Sequence, residues 1–170
     1  VAVCSSFDAI GYKYHVVWRL QTGGTEMIDE FEDIMVEQLN YYKKMNNNKL
    51  PRRIIYYRDG VAESQLEVFI TPEINSMKRA FEKIYAQGES PKITLVIVNK
   101  RHHMRAFPLK ESDGSKFNNI LPGTVIDKDI VSPYHFQFFL TSHGALQGCS
   151  KPTKYLSLIH ISEPTRQAEI

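Results

Sequence analysis

The order of its apolar segments constrains this chain more than any other feature of the sequence. Apolar residues recur at helical spacing from Met27 to Tyr42 and again from Pro72 to Tyr85. Between these segments lies a short run, Arg53 to Arg58 (RIIYYR), and after them comes Ile93 to Val98 (ITLVIV). The continuous run Ile93 to Val98 is typical of strands that are covered on both faces, and Arg53 to Arg58 is predicted to be a short buried strand. The alternation of strands and helices therefore predicts an α/β layer.

Local signals mark further strands and the ends of the first helix. Val1 to Ser5 and Tyr14 to Leu20 are rich in valine and aromatic residues, which favours strands, and Tyr134 to Thr141 is an aromatic run of the same kind. Thr25 is a suitable N-cap, so the first helix is expected to begin near it. The same helix is expected to end before Asn46.

Composition limits the class of protein. The chain has 170 residues, 42% hydrophobic and 24% charged, which fits one globular domain. No run is long enough to span a bilayer and no signal peptide is recognisable, so no membrane association is expected. Cys4 and Cys149 lack metal-ligand spacing, so neither a zinc site nor a disulfide framework is expected. Formal net charge is only +2, so nucleic-acid binding would require a local patch.

The two ends of the chain differ in character. Strand-like sequence begins at Val1 itself, so the natural start is expected to lie upstream. Leu156 to Ile170 reads LSLIHISEPTRQAEI, and its first eleven residues match the in-frame translation of a transposon-based sequencing adapter. We therefore interpret residues 156–170 as a non-native tail and expect them to pack poorly. A natural amphipathic tail is the alternative.

Two carboxylates stand where α/β proteins place functional groups. Asp59 directly follows the strand Arg53 to Arg58, which we expect to be a central strand of the sheet, and sites in α/β sheets collect at the carboxyl ends of strands. Glu26 stands at the predicted start of the first helix. Both could bind a divalent metal, because Mg²⁺ prefers oxygen ligands. The alternatives are that Asp59 and Gly60 form a common turn pair and that Glu26 complements the helix dipole.

A dense basic segment follows the apolar strand Ile93 to Val98. Five of the six residues from 100 to 105 are cationic or can become so: Lys100, Arg101, His102, His103 and Arg105. Such a patch attracts phosphate oxygens. The two histidines would add positive charge as the pH falls. The alternative is that the segment only solvates the end of a strand.

A polar loop from Ser142 to Pro152 combines small residues with His143 and Lys151. Glycines in such a loop let a backbone approach a ligand closely, although an ordinary glycine-bearing connection would look the same. Ser142 and His143 do not indicate a hydrolase, because the chain lacks the GxSxG pattern of a nucleophile elbow.

Four ordered motifs resemble the PIWI domain of Argonaute proteins, and the Argonaute branch more than the Piwi branch. They are IIYYRDGVAESQ (Ile54 to Gln65), KITLVIVNKRHHMRAFP (Lys92 to Pro108), LPGTVID (Leu121 to Asp127) and FQFFLTSHGALQGCSKPTKY (Phe136 to Tyr155). The resemblance implies an α/β, RNase H-like fold with a mixed sheet flanked by helices. It covers residues 1–155, which would form part of a PIWI domain.

The resemblance also implies a metal-dependent cleavage site in the intact parent. Asp59 matches the third member of the family's Asp-Glu-Asp-His (or Asp) tetrad, and Glu26 matches its glutamate. Both would hold Mg²⁺ or Mn²⁺. The first member would precede Val1 and the last would follow Tyr155, so this chain alone is not expected to cut RNA.

By the same resemblance, the guide-backbone contacts would be Lys100, Arg101, Arg105, His143 and Lys151. Departures from the family pattern mark a divergent member. Lysine replaces arginine at position 151 and histidine at 154, and cysteine replaces threonine at 149.

The expected function is small-RNA-guided RNA binding in gene silencing, with guide-directed endonucleolytic cleavage of target RNA in the intact parent. The alternative is a cleavage-inactive Argonaute that binds guide RNA and silences by recruiting partner proteins. A third reading is an α/β domain with no role in nucleic-acid binding. The partners would be guide RNA, target RNA and silencing proteins. The location would be the cytoplasm, with the nucleus as a second compartment.

Overall fold

A computed structural model describes residues 1–61, 66–115, 117–145 and 147–161. The helices are α1 (Phe31–Met45), α2 (Leu66–Ile84) and a 3₁₀ turn at Glu111–Asp113. The strands are β1 (Ala2–Ser6), β2 (Tyr14–Trp18), β3 (Arg53–Asp59), β4 (Lys92–Asn99), β5 (Val125–Ile126), β6 (Gln137–Leu140) and β7 (Thr153–Ile161). Within the described ranges, neither α-helix is both long and apolar enough to cross a membrane.

The chain divides into two compact units. The first unit comprises Val1–Ile54 and Ala62–Lys92, and the second comprises Ile55–Val61 and Ile93–Ile170.

The first unit contains a β-hairpin and a pair of helices. Strands β1 and β2 are antiparallel, with Ala2 opposite Trp18. Helices α1 and α2 contact each other through apolar residues that repeat every three or four positions. The buried members are Phe31, Ile34, Met35 and Leu39 on α1, and Ile70, Ile74, Met77, Ala80 and Phe81 on α2. The periodicity read from the sequence therefore identifies both helices correctly.

Helix α1 begins at Phe31, so the prediction of a start near Thr25 is wrong. The side chain of Gln21 explains the difference, because its Nε2 donates to the backbone oxygens of Thr25 (2.8 Å) and Met27 (3.0 Å). These bonds stabilise a loop in place of a first helical turn. Glu26 lies in that loop, five residues before α1, and not at the helix start.

Helix α2 begins at Leu66 and continues through Pro72, so the predicted start at Pro72 is also wrong. Proline inside a helix removes one backbone hydrogen bond. Here the apolar stripe extends to both sides of the proline, since Ile70 and Ile74 are each buried. Burial of that stripe outweighs the local preference of proline for a helix start.

A buried glutamine attaches the hairpin to α1. The Oε1 of Gln38 accepts hydrogen bonds from Ser5 Oγ and from His15 Nδ1 (3.0 Å), and its Nε2 donates to the oxygen of Val3 (2.9 Å). The ring of His15 also stacks on Tyr41 at 3.8 Å. Gln38 thus satisfies its polar atoms although its exposed fraction is only 4%.

The second unit is built on a mixed five-stranded sheet with the order β3-β4-β7-β6-β5. Strand β7 is antiparallel to both of its neighbours, with Leu156 opposite Ile97 and Tyr155 opposite Phe138. Strand β3 lies at the edge of the described sheet, so the prediction that Asp59 ends a central strand is wrong. Position in a sheet depends on pairing between distant segments, which one strand's composition does not encode.

The two faces of this sheet differ in burial. One face carries Ile93, Leu95, Ile97, Phe139 and Leu156, none of them more than 6% exposed. The other, which we call the open face, forms a shallow cavity of about 560 Å³ whose lining includes Ile55, Tyr57, Val96, Val98, Phe136 and Phe138. Within the described residues, the prediction that Ile93 to Val98 is covered on both faces is therefore wrong, as is the prediction that Arg53 to Arg58 is a buried strand. In β3, exposed and half-buried residues alternate, as the period of two in a strand requires.

The segment interpreted as a non-native tail enters the sheet. Leu156 and Ser157 lie in β7 and are 5% and 8% exposed, so the expectation that they pack poorly is wrong. The alternation in LSLI suits a strand whatever its origin. Residues 162–170 lie outside the described ranges, as do 62–65 and Leu146 of the quoted motifs. The boundary between residues 155 and 156 remains a prediction.

Candidate nucleic-acid interface

The basic segment, Lys100 to Arg105, leaves the sheet directly after β4. It has no regular secondary structure, and its path is fixed at the start because Asn99 Oδ1 accepts a hydrogen bond from the backbone nitrogen of Arg101 at 2.8 Å. Arg101 and His103 are exposed, while Arg105 is half-buried.

Lys100 lies next to Asp59 because their strands are neighbours in the sheet. Asp59 is the last residue of β3 and Lys100 follows the last residue of β4. Lys100 Nζ is 2.6 Å from Asp59 Oδ2, and the side chains are 63% and 57% exposed. The hydrogen bond to the carboxylate, reinforced by its charge, raises the pKa of Lys100. After Asp59, Gly60 adopts a φ of +85°, a left-handed conformation that favours glycine.

Arg105 folds back on its own segment. Its Nη1 donates to the backbone oxygens of His102 (3.0 Å) and Met104 (2.7 Å). A guanidinium has five N–H donors in a planar fork, so these bonds orient the group without using all of its donors.

His102 joins the basic segment to the loop that precedes β7. Its Nε2 donates to the backbone oxygen of Pro152 at 2.7 Å, since a carbonyl can only accept. Its ring meets Phe139 edge to face, with 5.2 Å between ring centroids. His102 is therefore a structural link between the two predicted phosphate-binding segments, which the sequence did not indicate.

The second segment, which we call the SH loop, runs from Ser142 to Pro152. His143, Gln147, Cys149 and Lys151 line a cavity of about 400 Å³ together with small residues of the loop. His143 and Lys151 are both exposed, and Ser142 Oγ lies 3.2 Å from His143 Nδ1. The two predicted cationic contacts of this loop therefore reach solvent beside one cavity.

Asn119 fixes the SH loop from outside it. Its Nδ2 donates to the oxygen of Gly148 at 2.9 Å, and its Oδ1 accepts from the nitrogen of Ser150 at 2.8 Å. The side chain is almost fully buried. Sequence reasoning missed this residue, because nothing in a single sequence connects an asparagine to partners about thirty positions away.

The two carboxylates assigned to a metal site belong to different units, Glu26 to the first and Asp59 to the second. The described residues contain no group of three or more histidine, cysteine, aspartate or glutamate side chains that could hold a metal ion. A magnesium site needs several oxygen ligands, and the carboxylate of Asp59 forms an ion pair with the ammonium group of Lys100. These residues alone do not fit Mg²⁺ or Mn²⁺.

The five residues predicted to contact a guide backbone all lie in the second unit. Four are exposed, namely Lys100, Arg101, His143 and Lys151, and Arg105 is half-buried. Exposed cations and oriented N–H donors on coil segments can bind phosphate oxygens without contacting bases.

Comparison with known proteins defines the class. The family model of the Piwi domain matches residues 1–161, and the chain belongs to the Piwi domain family. Its relatives include Protein argonaute-2 of Drosophila melanogaster, which is 45% identical over 91% of this chain. The chain spans only 12% of that protein's length.

Solved structures of Argonaute proteins support the same family assignment. The C-terminal lobe of a budding yeast Argonaute matches 96% of this chain and 35% of its own, with a TM-score of 0.84 and 31% identity. The Argonaute of Kluyveromyces polysporus, solved with a guide RNA, matches 96% of this chain and 21% of its own, with a TM-score of 0.83 and 31% identity. The prediction of an α/β fold of the RNase H-like PIWI type is confirmed.

Proposed function

We propose that this chain supplies part of the guide-RNA-binding surface of an Argonaute protein that acts in small-RNA-guided silencing. The observation that carries the proposal is the link between two cationic segments: His102 of the basic segment is bonded to Pro152 at the end of the SH loop. The likeness to an Argonaute solved with a guide RNA supports the same reading.

The chemistry of these residues suits a phosphate backbone. Lysine offers a point charge and arginine a planar fork of donors, and neither needs to contact a base edge to bind phosphate. Base pairing between guide and target would then read the sequence, while the protein holds the strand by its charge.

Cleavage of target RNA belongs to the intact parent in this proposal. There Asp59 and Glu26 would join an aspartate and a histidine (or a second aspartate) from outside this chain around Mg²⁺ or Mn²⁺. Phosphodiester hydrolysis by two metals requires ligands that fix both ions, and the described residues bring together no such set. The isolated chain with guide, target and Mg²⁺ is therefore expected to leave the target intact. The alternative, a cleavage-inactive Argonaute that recruits partner proteins, would retain the same guide-binding surface.

The test replaces Lys100, Arg101 and Arg105 together by alanine and measures binding of single-stranded RNA at several salt concentrations. Each phosphate contact contributes about −0.7 to the log–log salt slope for single strands, so the slope should flatten by up to about 2. The loss of affinity should be similar for RNAs of different sequence, because the contacts are to the backbone.

The matched control replaces three other exposed lysines by alanine: Lys44, Lys110 and Lys128. It lowers the net charge equally and should change the slope much less. Equal changes in both triple variants would mean that only overall charge matters, and the proposed interface would then be wrong.

A further inference from the structure

We propose that, while no metal ion is bound at Asp59, this carboxylate restrains RNA binding by holding Lys100 in an ion pair with which an RNA phosphate has to compete. The inference rests on the proposed function and adds a regulatory contact to the same site.

The geometry places the two groups in direct competition. Lys100 Nζ is 2.6 Å from Asp59 Oδ2, the distance of a charge-assisted hydrogen bond. Carboxylate and phosphate oxygens are both anionic acceptors, and both bind the N–H donors of the same ammonium. A phosphate that binds Lys100 therefore either displaces Asp59, which costs the attraction of the ion pair, or lies beside its negative charge, which costs repulsion.

The order of strands in the sheet brings Asp59 and Lys100 together. Strands β3 and β4 are neighbours, and they end at Asp59 and Asn99. The pair therefore lies where two adjacent strands terminate. In the described part of the chain, Lys100 has a carboxylate within ion-pair distance, whereas the recorded bonds of Arg105 go to neutral backbone oxygens.

The pair is weak enough for RNA to displace it. Both side chains are more than half exposed, so water and salt screen their attraction. Exposed pairs of this kind change an equilibrium by a factor of about 1.5 to 5. Asp59 therefore moderates affinity and does not abolish binding.

A double-mutant cycle tests the competition. Asp59→Asn keeps the shape of the side chain and removes its charge. In the otherwise unchanged chain it should tighten binding of a single-stranded oligouridylate by about 1.5-fold to 5-fold at low salt. It should also steepen the salt slope by about 0.7, since one more ammonium becomes available to phosphate. In a Lys100→Ala background, the steeper slope should disappear, and the gain in affinity should fall to the small change that loss of any nearby negative charge produces.

Loss of a negative charge anywhere could raise RNA affinity, so a second acid is the control. Asp127 is exposed and lies in the same unit. Asp127→Asn should produce the same small change with or without Lys100→Ala. Circular dichroism of every variant confirms that the fold is retained.

The outcomes separate the two proposals. An equal gain from Asp59→Asn in both backgrounds, or no gain in either, overturns the competition while leaving the interface intact. Conversely, if the unchanged chain binds RNA no more tightly than the Lys100, Arg101 and Arg105 triple variant does, the proposed interface fails, and the competition fails with it.

Discussion

The two faces of the five-stranded sheet carry similar residues and have different surroundings. Successive residues of β4 point to opposite faces. Leu95 is completely buried on one face, while its neighbour Val96 lines the open face. On the open face, Tyr57 is 60% exposed and Phe136 is 68% exposed.

This difference shows that an apolar pattern predicts which side chains a strand carries and does not predict which of its faces other elements cover. A run such as Ile93 to Val98 predicts that both faces of a strand carry apolar side chains, and the structure agrees. The same run does not predict that the described chain covers both faces. Coverage depends on other elements, and a contiguous exposed apolar patch is typical of a surface that contacts something else.

The largest expected effect compares neighbouring residues of β4. Leu95→Ala should lower the free energy of unfolding by about 2–5 kcal/mol, because it leaves a cavity among buried side chains. Val96→Ala should cost less than about 1 kcal/mol, because its side chain already borders the open face. Urea unfolding of both variants measures the difference. Equal losses would mean that the open face is covered in solution.

A smaller effect is expected from polar substitution on the open face itself. Phe136→Ser should reduce the fluorescence of a dye that binds exposed apolar surface, and should change the free energy of unfolding by about 0.5 kcal/mol or less. Phe117→Ser is the control, since Phe117 is similarly exposed at 59% but does not line this cavity. If both substitutions lower the fluorescence equally, the open face is not a distinct dye-binding surface.

The smallest effect concerns exposed charges, which contribute less than either face. Glu32 forms ion pairs with Lys83 and Arg79, both at 2.6 Å. Hydrogen bonds from these groups, that from Lys83 first, lower the pKa of Glu32 below its usual value of 4.5. The stabilisation is therefore present above pH 4.5 and is lost as the pH falls through the depressed pKa.

Glu32→Gln should accordingly reduce the loss of stability between about pH 5 and about pH 3, as judged by urea midpoints. Glu82→Gln, a change on the neighbouring helix α2, is the control. A pH profile identical to that of the unchanged chain would show that the pair of Glu32 with the two cations contributes nothing in solution.

Much of the fold could be predicted because periodicity is a local property. Phe31, Ile34 and Leu39 repeat at helical spacing, and the helix follows. Helix ends were less predictable, since hydrogen bonds from the side chain of Gln21, four residues before Thr25, hold this segment as a loop. Pro72 shows the same limit, because tertiary burial of its neighbours overrides a local preference.

The candidate site likewise has some features that the sequence reveals and others that only the structure shows. The charged residues of the basic segment are visible as a cluster in the sequence, because Lys100, Arg101 and Arg105 lie within six consecutive positions. Their partners are not visible, since the contact of Lys100 with Asp59 spans forty-one positions and that of His102 with Pro152 spans fifty. Pairings over such separations arise from the order of strands in the sheet, which composition does not specify.

The bond between His102 and Pro152 has a consequence for the energetics of binding a flexible strand. Two separately mobile segments would each lose conformational freedom when a strand orders them, and that loss would weaken affinity. Here the basic segment and the SH loop are joined at 2.7 Å before any ligand arrives, so the loss of freedom occurs during folding. Under the proposed function this surface is preorganised, so a bound RNA would retain more of its contact energy as affinity.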